Sequence, residues 1–291
     1  MLDLIVNPIA GGKKGKKLLK TLKKIMAHLA ERKIEYAVHV AKEHKSSRTK
    51  TQELIQNGAT DIIAVGGDGT LHEVINGFSN FEKVNLGIIP CGTGNDFAAT
   101  INLPKDPIKA LDIIIDGTPK YTDFMQMPTV RGLNVIGMGL DVDVLVKYNK
   151  LKKKTKFGYT SCLIKSLIKF EYSNFEVQID NCEKKKLRSF VACVCNGHRF
   201  GGGIPICPIA SPEDNKLDFV AVNEMKRLKI IGAFIKLKSG KIFNLKQTVC
   251  DKAENIKIES DKPCVVNVDG ELYENIPFDV QIVSNKLKIY R

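Results

Sequence analysis

Tryptophan is absent from the 291 residues, and aromatic side chains make up only 7%. No stretch approaches ~20 consecutive apolar residues, so no transmembrane helix is recognisable. The run Leu2 to Val6 leads straight into Asn7-Pro8 without a basic flank or a long apolar core. It is therefore read as a strand and not as a secretion signal. No CxxC pair occurs, which argues against a zinc site. The eight cysteines (Cys91, Cys162, Cys182, Cys193, Cys195, Cys207, Cys250 and Cys264) are read as reduced thiols in a cytosol. Neither of the glycine-rich runs Gly11 to Gly15 and Gly66 to Thr70 has the G-x-x-x-x-G-K-[ST] or the G-x-G-x-x-G spacing. The P-loop and the dinucleotide fingerprint are set aside on that ground.

The composition that remains is globular, with 43% hydrophobic and 26% charged residues. The formal net charge of +13 favours polyanionic partners: nucleotides, nucleic acid or anionic lipid surfaces. The first 125 residues alternate apolar runs with helical periodicity. Strands are expected at Asp3 to Pro8, Tyr36 to Ala41, Asp61 to Val65 and Val84 to Pro90. Helices are expected at Lys16 to Arg32, Thr49 to Asn57, Leu71 to Phe78 and Pro107 to Asp116. This order implies a mostly parallel sheet with helices on both faces. Beyond about residue 124 the runs shorten to period two: Phe175 to Ile179, Phe190 to Cys195, Leu217 to Val222, Ile256 to Ile258, Val265 to Val268, Phe278 to Val283 and Leu287 to Tyr290. They predict a β-sandwich-like second domain. Helical insertions are expected near Tyr159 to Phe170 and Leu228 to Leu237. The expected domains are 1–124 and 125–283, with the last strand, about 284–291, a candidate to return to the first.

Three polar loops fall at carboxyl ends of the predicted parallel strands, where open α/β sheets bind ligands. They are Asn7 to Gly15, Gly66 to Thr70 and Cys91 to Asp96. Glycines there allow close backbone approach, and successive amides with a helix N-terminus cradle phosphate. Asp68 and Asp96 would repel a phosphate unless they hold Mg²⁺ or a ligand hydroxyl. His72, just after the second loop, reads as a surface polar residue. The glycines of Asn196 to Gly203, around His198, allow either a plain β-connection or a loop bordering a lipid cleft.

Gly66-Gly67-Asp68-Gly69-Thr70 followed by Leu71 to Gly77, and Ile89-Pro90-Cys91-Gly92-Thr93-Gly94-Asn95-Asp96, resemble the nucleotide motifs of the diacylglycerol kinase catalytic-domain family. Val6-Asn7-Pro8 with Gly11-Gly12 matches its start, and Asn267 to Glu271 its C-terminal motif. The resemblance implies a phosphofructokinase/NAD-kinase-like α/β nucleotide domain, then a β-rich lipid-binding domain, with the active site between them. It implies ATP on Asn7, Pro8, Gly11, Gly12, Gly66, Gly67, Asp68, Gly69, Thr70, Gly92, Thr93, Asn95 and Asp96. Glu271 would be the general base, with Asp68 and Asp123 as further catalytic groups. A structural Mg²⁺ would take the Asp214 side chain and the carbonyls of Ser211 and Lys216. Where the family has Asp-Gly, this chain has Asp214-Asn215, and Asn tolerates the same left-handed turn. Ala41 stands where a nucleotide-contacting Thr is usual, with Ser46 and Ser47 as substitutes.

The implied activity is ATP-dependent phosphorylation of a lipid hydroxyl, with diacylglycerol the leading acceptor. The protein would work from the cytoplasm, peripherally on an anionic inner membrane surface, and the resemblance allows a homodimer. Phosphatidylglycerol, ceramide and sphingoid bases are alternative acceptors. The lysine-rich segments Lys13 to Lys17, Lys150 to Lys156 and Lys226 to Lys229 could hold such a surface. Leu228 to Phe243 mixes apolar residues with lysine as interfacial helices do, and equally as an amphipathic core helix does. NAD kinase shares the Gly66 to Thr70 element, but the Asn267 to Glu271 motif argues against it. Nucleic-acid binding rests on charge alone, because the basic runs hold few interleaved aromatics.

Overall fold

The computed structural model of the chain describes residues 1–8, 15–41, 43, 46–151, 155–226, 229–262 and 265–291. Gly11, Gly12, Lys13 and Lys14, Lys152 to Lys154, Arg227 and Cys264 lie outside the described residues. The chain forms two compact units, Met1–Thr122 with Ser284–Arg291, and Asp123–Val283.

Unit 1 runs β1 (Leu2–Val6), α1 (Gly15–Glu31), β2 (Tyr36–Val40), α2 (Ser46–Gln56), β3 (Asp61–Gly66), α3 (Asp68–Gly77), β4 (Asn85–Pro90), α4 (Asp96–Thr100) and α5 (Pro107–Asp116). β5 (Pro119–Gln126) then leads into unit 2: β6 (Arg131–Gly132), β7 (Val135–Gly139), α6 (Leu140–Asn149), α7 (Lys156–Lys169), β8 (Ser173–Ile179), β9 (Lys185–Cys195), β10 (Leu217–Asn223), α8 (Ile230–Lys238), β11 (Thr248–Ala253), β12 (Asn255–Ser260), β13 (Val265–Val268), β14 (Glu271–Glu274) and β15 (Phe278–Tyr290).

The sheet of unit 1 is parallel, in the order β2, β1, β3, β4, β15. Its central strands β1, β3 and β4 are buried on both sides, as a sheet covered by helices requires. Leu4, Val6, Ile63, Val65 and Ile89 pack with Leu18, Leu22, Ile25 and Leu29 of α1 and Leu111 and Ile114 of α5. The spacing of four, three and four residues lays the α1 side chains along one face. Ile5, Ile62 and Ile88, also buried, alternate to the other face of the strands. There α2 meets α3 so closely that a Cβ on Gly77 would lie 2.5 Å from the Arg48 carbonyl. α5 starts by sequence-local rules: the Asp106 carboxylate accepts from the Ile108 and Lys109 amides at 2.9 and 3.1 Å, and Pro107 occupies the first helical position.

Unit 2 is antiparallel. β9 is its centre, pairing β7 and β8 on one side and β10 on the other. β10 continues to β11, β8 to β12, and β7 to the β13–β14 hairpin. Cys193 and Cys195 are fully buried in β9, as their apolar run implied. The seven cysteines among the described residues are free thiols.

Three expectations are corrected. The helix expected from Leu71 starts three residues earlier, so Asp68, Gly69 and Thr70 are its first turn and not a loop. The strands expected at Phe278 to Val283 and Leu287 to Tyr290 are one 13-residue strand. Asn285, between the two expected runs, takes a left-handed φ of 55° without ending the strand. His72 is buried, because one turn into α3 it faces inward. Burial and the nearby Arg48 charge push its pKa down to about 4.

Candidate active site

The parallel register aligns the three loops of unit 1. Val6 pairs with Val65 and Val65 with Ile89, so Asn7, Gly67 and Cys91 leave the sheet along one edge. Asn7 is buried there and Pro8 is half-buried. The Cys91 amide donates to the Gly66 carbonyl at 2.7 Å and joins the second loop to the third.

The two loops touch glycine to glycine. A Cβ on Gly92 would lie 2.4 Å from the Gly67 Cα, and one on Gly67 would lie 2.9 Å from the Gly92 Cα. Gly66 is equally constrained, since a Cβ there would sit 2.4 Å from the Thr70 Oγ1. No side chain among the described residues caps the N-terminus of α3 at Gly67, so the amides of its first turn remain available to an anion. A pocket bounded by Gly66, Gly67, Asp68, Leu71, Pro90 and Asn95 opens at this point. The expected outcome for Gly92→Ala follows: the new methyl group forces the loops apart, and ATP affinity, read by calorimetry, falls about tenfold.

Asp68 has a structural duty that its sequence position hid. Its Oδ2 accepts from the Asn95 amide and its Oδ1 from the Asp96 amide, both at 2.7 Å. The carboxylate therefore ties the start of α4 to the start of α3, and the repulsion of phosphate expected from sequence is offset by these amides. Burial pushes the Asp68 carboxyl up, against the pull of the Asp96, Asn95 and Phe97 amides. Asn95 holds a left-handed φ of 54°, and its Oδ1 accepts from the Gly92 amide at 2.9 Å. Thr93 and Gly94 complete this turn, where a Cβ on Gly94 would lie 2.7 Å from the Asp68 Oδ2. Ser46 Oγ is engaged with Glu43, and Ser47 is fully buried, so neither stands ready to replace the hydroxyl missing at Ala41.

In unit 2, Asn267 to Glu271 forms the β13–β14 hairpin. Asp269 and Gly270 have φ of 52° and 98°, the two positive values of a type I′ turn, for which Asp-Gly is a preferred pair. The turn is bolted down. The Asp269 carboxylate accepts from the amides of Leu133, Asn134 and Val135 at 2.6, 2.9 and 3.0 Å. Asn267 accepts from the Gly270 amide at 2.8 Å and donates to the Asp141 Oδ2 at 3.1 Å. Glu271, half-buried, opens β14 opposite Val268. Asp141 escaped the sequence reading, although a carboxylate within the apolar run Val135 to Val142 was a signal.

Asp123 clasps the 211–216 segment at two points. Its amide donates to the Pro212 carbonyl at 2.8 Å, and its Oδ2 accepts from the Asn215 amide at 2.8 Å. Asn215 takes a left-handed φ of 59°, so Asn does serve the turn in place of Gly. Among the described residues no group of three or more His, Cys, Asp or Glu side chains is placed to hold a metal. A Mg²⁺ at this turn would rest on the Asp214 carboxylate and on carbonyls and would keep water in the rest of its shell, as Mg²⁺ does. The donors suit a cation. Asp214 pairs with Lys252, and the buried Asp218 carboxylate, without a hydrogen bond of normal geometry, lies 3.7 Å from the same ammonium. Burial pushes the Asp218 carboxyl up, Lys252 pulls it down, and Asp214 adds to the rise.

An apolar cavity lies in unit 2 against α7, β9 and α8, partly open to solvent. Leu163 and Leu167 of α7, Phe190 of β9, Phe234 and Leu237 of α8, and Phe200 line it, with Asp141 the carboxylate at its wall. Phe200 belongs to the glycine-rich segment after Asn196. Gly201, Gly202 and Gly203 have φ of 60°, 83° and 111°, and a Cβ on Gly201 would lie 2.3 Å from the Tyr159 ring. That segment thus borders the cavity.

Comparison with known proteins agrees with both halves. Residues 2–127 match the family described as "Diacylglycerol kinase catalytic domain". Residues 134–291 match "YegS C-terminal NAD kinase beta sandwich-like domain". A protein of Staphylococcus carnosus named diacylglycerol kinase is 25% identical over 293 residues, covering 99% of this chain and 94% of the relative. One of Xanthomonas euvesicatoria, named "Probable lipid kinase YegS-like", is 27% identical over 281 residues, covering 92% and 91%. The crystal structure of a candidate diacylglycerol kinase from Bacillus anthracis superposes with a TM-score of 0.80 at 25% identity, covering 99% of this chain and 96% of that one. An Archaeoglobus fulgidus NAD kinase shares the fold at a TM-score of 0.53 and 12% identity, over 100% of this chain and 94% of that one. With its nucleotide-loop half and its sandwich half both matched, the chain belongs to the diacylglycerol kinase catalytic-domain family of lipid kinases.

Proposed function

We propose that this kinase transfers the γ-phosphoryl group of ATP to the free hydroxyl of diacylglycerol, giving phosphatidic acid, peripherally on the anionic cytoplasmic face of a membrane. The observation that carries the acceptor is the apolar cavity of unit 2. Its lining of Leu, Val, Ile and Phe, with Asp141 as the one carboxylate, suits a hydrocarbon chain better than a dinucleotide.

ATP would lie on unit 1, its phosphates on the amides at Gly66 to Thr70 and Gly92 to Asp96, with Asn7 and Pro8 beside them. Asp68 keeps that cradle closed by holding the Asn95 and Asp96 amides. Glu271 is the base. The lipid hydroxyl passes its proton to the Glu271 carboxylate as its oxygen bonds to the γ-phosphorus. The bond from that phosphorus to the β–γ bridging oxygen breaks, and ADP leaves with its electron pair. Mg²⁺ supplies charge neutralisation when bound, and Asp214, with the carbonyls of Ser211 and Lys216, would hold the structural ion. Asp123 positions that segment through Pro212 and Asn215.

The test is phosphate transfer from γ-labelled ATP to a panel in mixed micelles: diacylglycerol, phosphatidylglycerol, ceramide, sphingosine and monoacylglycerol, with NAD as a soluble control. Label is expected in phosphatidic acid. Label in another lipid alone moves the acceptor to that lipid, and NADP formation overturns the lipid reading.

A further inference from the structure

The two helices that wall the cavity carry a second apolar surface on their outer sides. α7 turns Tyr159, Cys162, Leu163 and Leu167 into the core. On its other side Phe157 is 84% exposed, and Ile164, two turns on, is 43% exposed. α8 buries Ile230 and Ala233 and shows Ile231 and Ile235 at 71% and 62% exposure. Solvent-facing sides of helices are ordinarily polar. Single exposed apolar side chains are unremarkable, but two isoleucines four residues apart stack on consecutive turns and make a patch.

Along both helices and the chain flanking them the charge has one sign. Lys165, Lys229, Lys238 and Lys241 are exposed, and there is no Asp or Glu from Val146 to Phe170 or from Lys226 to Thr248. A second copy of the chain would bring lysine against lysine, within a molecule of net charge +13. A nucleic acid would satisfy the lysines but not bulky aliphatic side chains. An anionic bilayer satisfies both, since aliphatic residues enter the headgroup–acyl boundary while each lysine near the surface faces lipid phosphate.

We propose that the outer faces of α7 and α8 dock the protein on an anionic lipid bilayer, with Ile231 and Ile235 as the main insertion points and Phe157 as a third. The inference deepens the lipid-kinase reading and rests on it for its purpose. The same two helices then carry both the wall of the acyl cavity, through Leu163 and Leu167 on α7 and Phe234 and Leu237 on α8, and, on another side, the docking face.

The test is co-sedimentation of the full chain with vesicles of phosphatidylcholine, alone or mixed with phosphatidylglycerol, in the absence of ATP and diacylglycerol. Wild type is expected to bind the mixed vesicles and to lose them at high salt. The I231S/I235S variant is expected to partition about tenfold less or weaker, with an unchanged thermal midpoint. F157S tests α7 separately and is expected to weaken binding by a smaller factor. The proposal is overturned if the double variant binds like wild type, or if wild type binds neutral vesicles equally well. It is also overturned if the double substitution only converts a dimer to a monomer and leaves vesicle binding intact. Because no turnover is measured, a failure to phosphorylate diacylglycerol in micelles would sink the acceptor assignment without touching this one.

Discussion

Replacing Glu271 by alanine is expected to lower phosphate transfer to lipid by about 10²–10⁴-fold while leaving ATP affinity unchanged. The size follows from what a positioned general base contributes, and the geometry explains why this carboxylate is positioned. Glu271 follows a two-residue turn whose every flexible point is tied: Asp269 by three backbone amides, Gly270 through the Asn267 side chain. A base on so constrained a hairpin loses little orientation freedom in the reaction. Glu271 belongs to β14 of unit 2 and is not among the unit 1 residues proposed to hold the nucleotide, so nucleotide affinity should not move. The control is Glu271→Gln, which keeps the shape and removes the base. Both variants should bind ATP normally by calorimetry and fail in the labelled-lipid assay. A Gln variant with near wild-type turnover would mean that the proton leaves by another route.

The architecture was largely legible because its signals are periodic. The four-three-four spacing of Leu18, Leu22, Ile25 and Leu29 is α1, and the apolar runs ending in polar glycine loops are β3 and β4. Pro107 with Asp106 before it marks the start of α5. What periodicity did not give is the short or irregular part of unit 2. β14 is four residues long and β7 is five, with glycines inside it, and α6 follows β7 without a break. Phe278 to Val283 and Leu287 to Tyr290 read as separate runs, yet one strand continues through Asn285 despite its left-handed φ.

The candidate site was legible as a set of loops but not as a set of contacts. Glycine content announces close approach; it does not say to what. Only the fold shows that Gly67 meets Gly92. An aspartate among phosphate-binding glycines invites a metal or hydroxyl partner, whereas Asp68 uses both oxygens on amides 27 and 28 residues away. Asp123 lies about ninety positions from the turn it clasps, and that separation has no local signature. The same holds for Asp269, whose Asp-Gly pairing predicted a hairpin but not the three amides of β7's approach that it gathers.

Asp141→Asn is expected to stabilise the protein at alkaline pH and to flatten its pH dependence. Asp141 is buried at the start of α6, in space that Gly137 leaves open; a Cβ on Gly137 would lie 2.2 Å from its Oδ2. Burial pushes its pKa from the ordinary 3.8 up to about 7, against the Asn267 side chain and the amides of Val142 and Asp141 itself. Between those two values the folded chain holds a proton that the unfolded chain has released. Stability therefore declines as pH rises from about 4 to about 7, and above that the folded state carries a buried charge at a cost of up to about 4 kcal/mol. Asparagine keeps an acceptor for the Asn267 amide and has no charge to bury. Wild type and variant should match in urea midpoint near pH 4, and the variant should gain steadily to about pH 7 and hold that lead to pH 8.5. A gap that does not widen with pH would mean that Asp141 is already ionised in the fold, with a cation or solvent reaching it. If the gap widens as expected, Asp141 is a neutral acid below about pH 7, and in that range the cavity wall presents an apolar ligand with a carboxyl group and not a carboxylate.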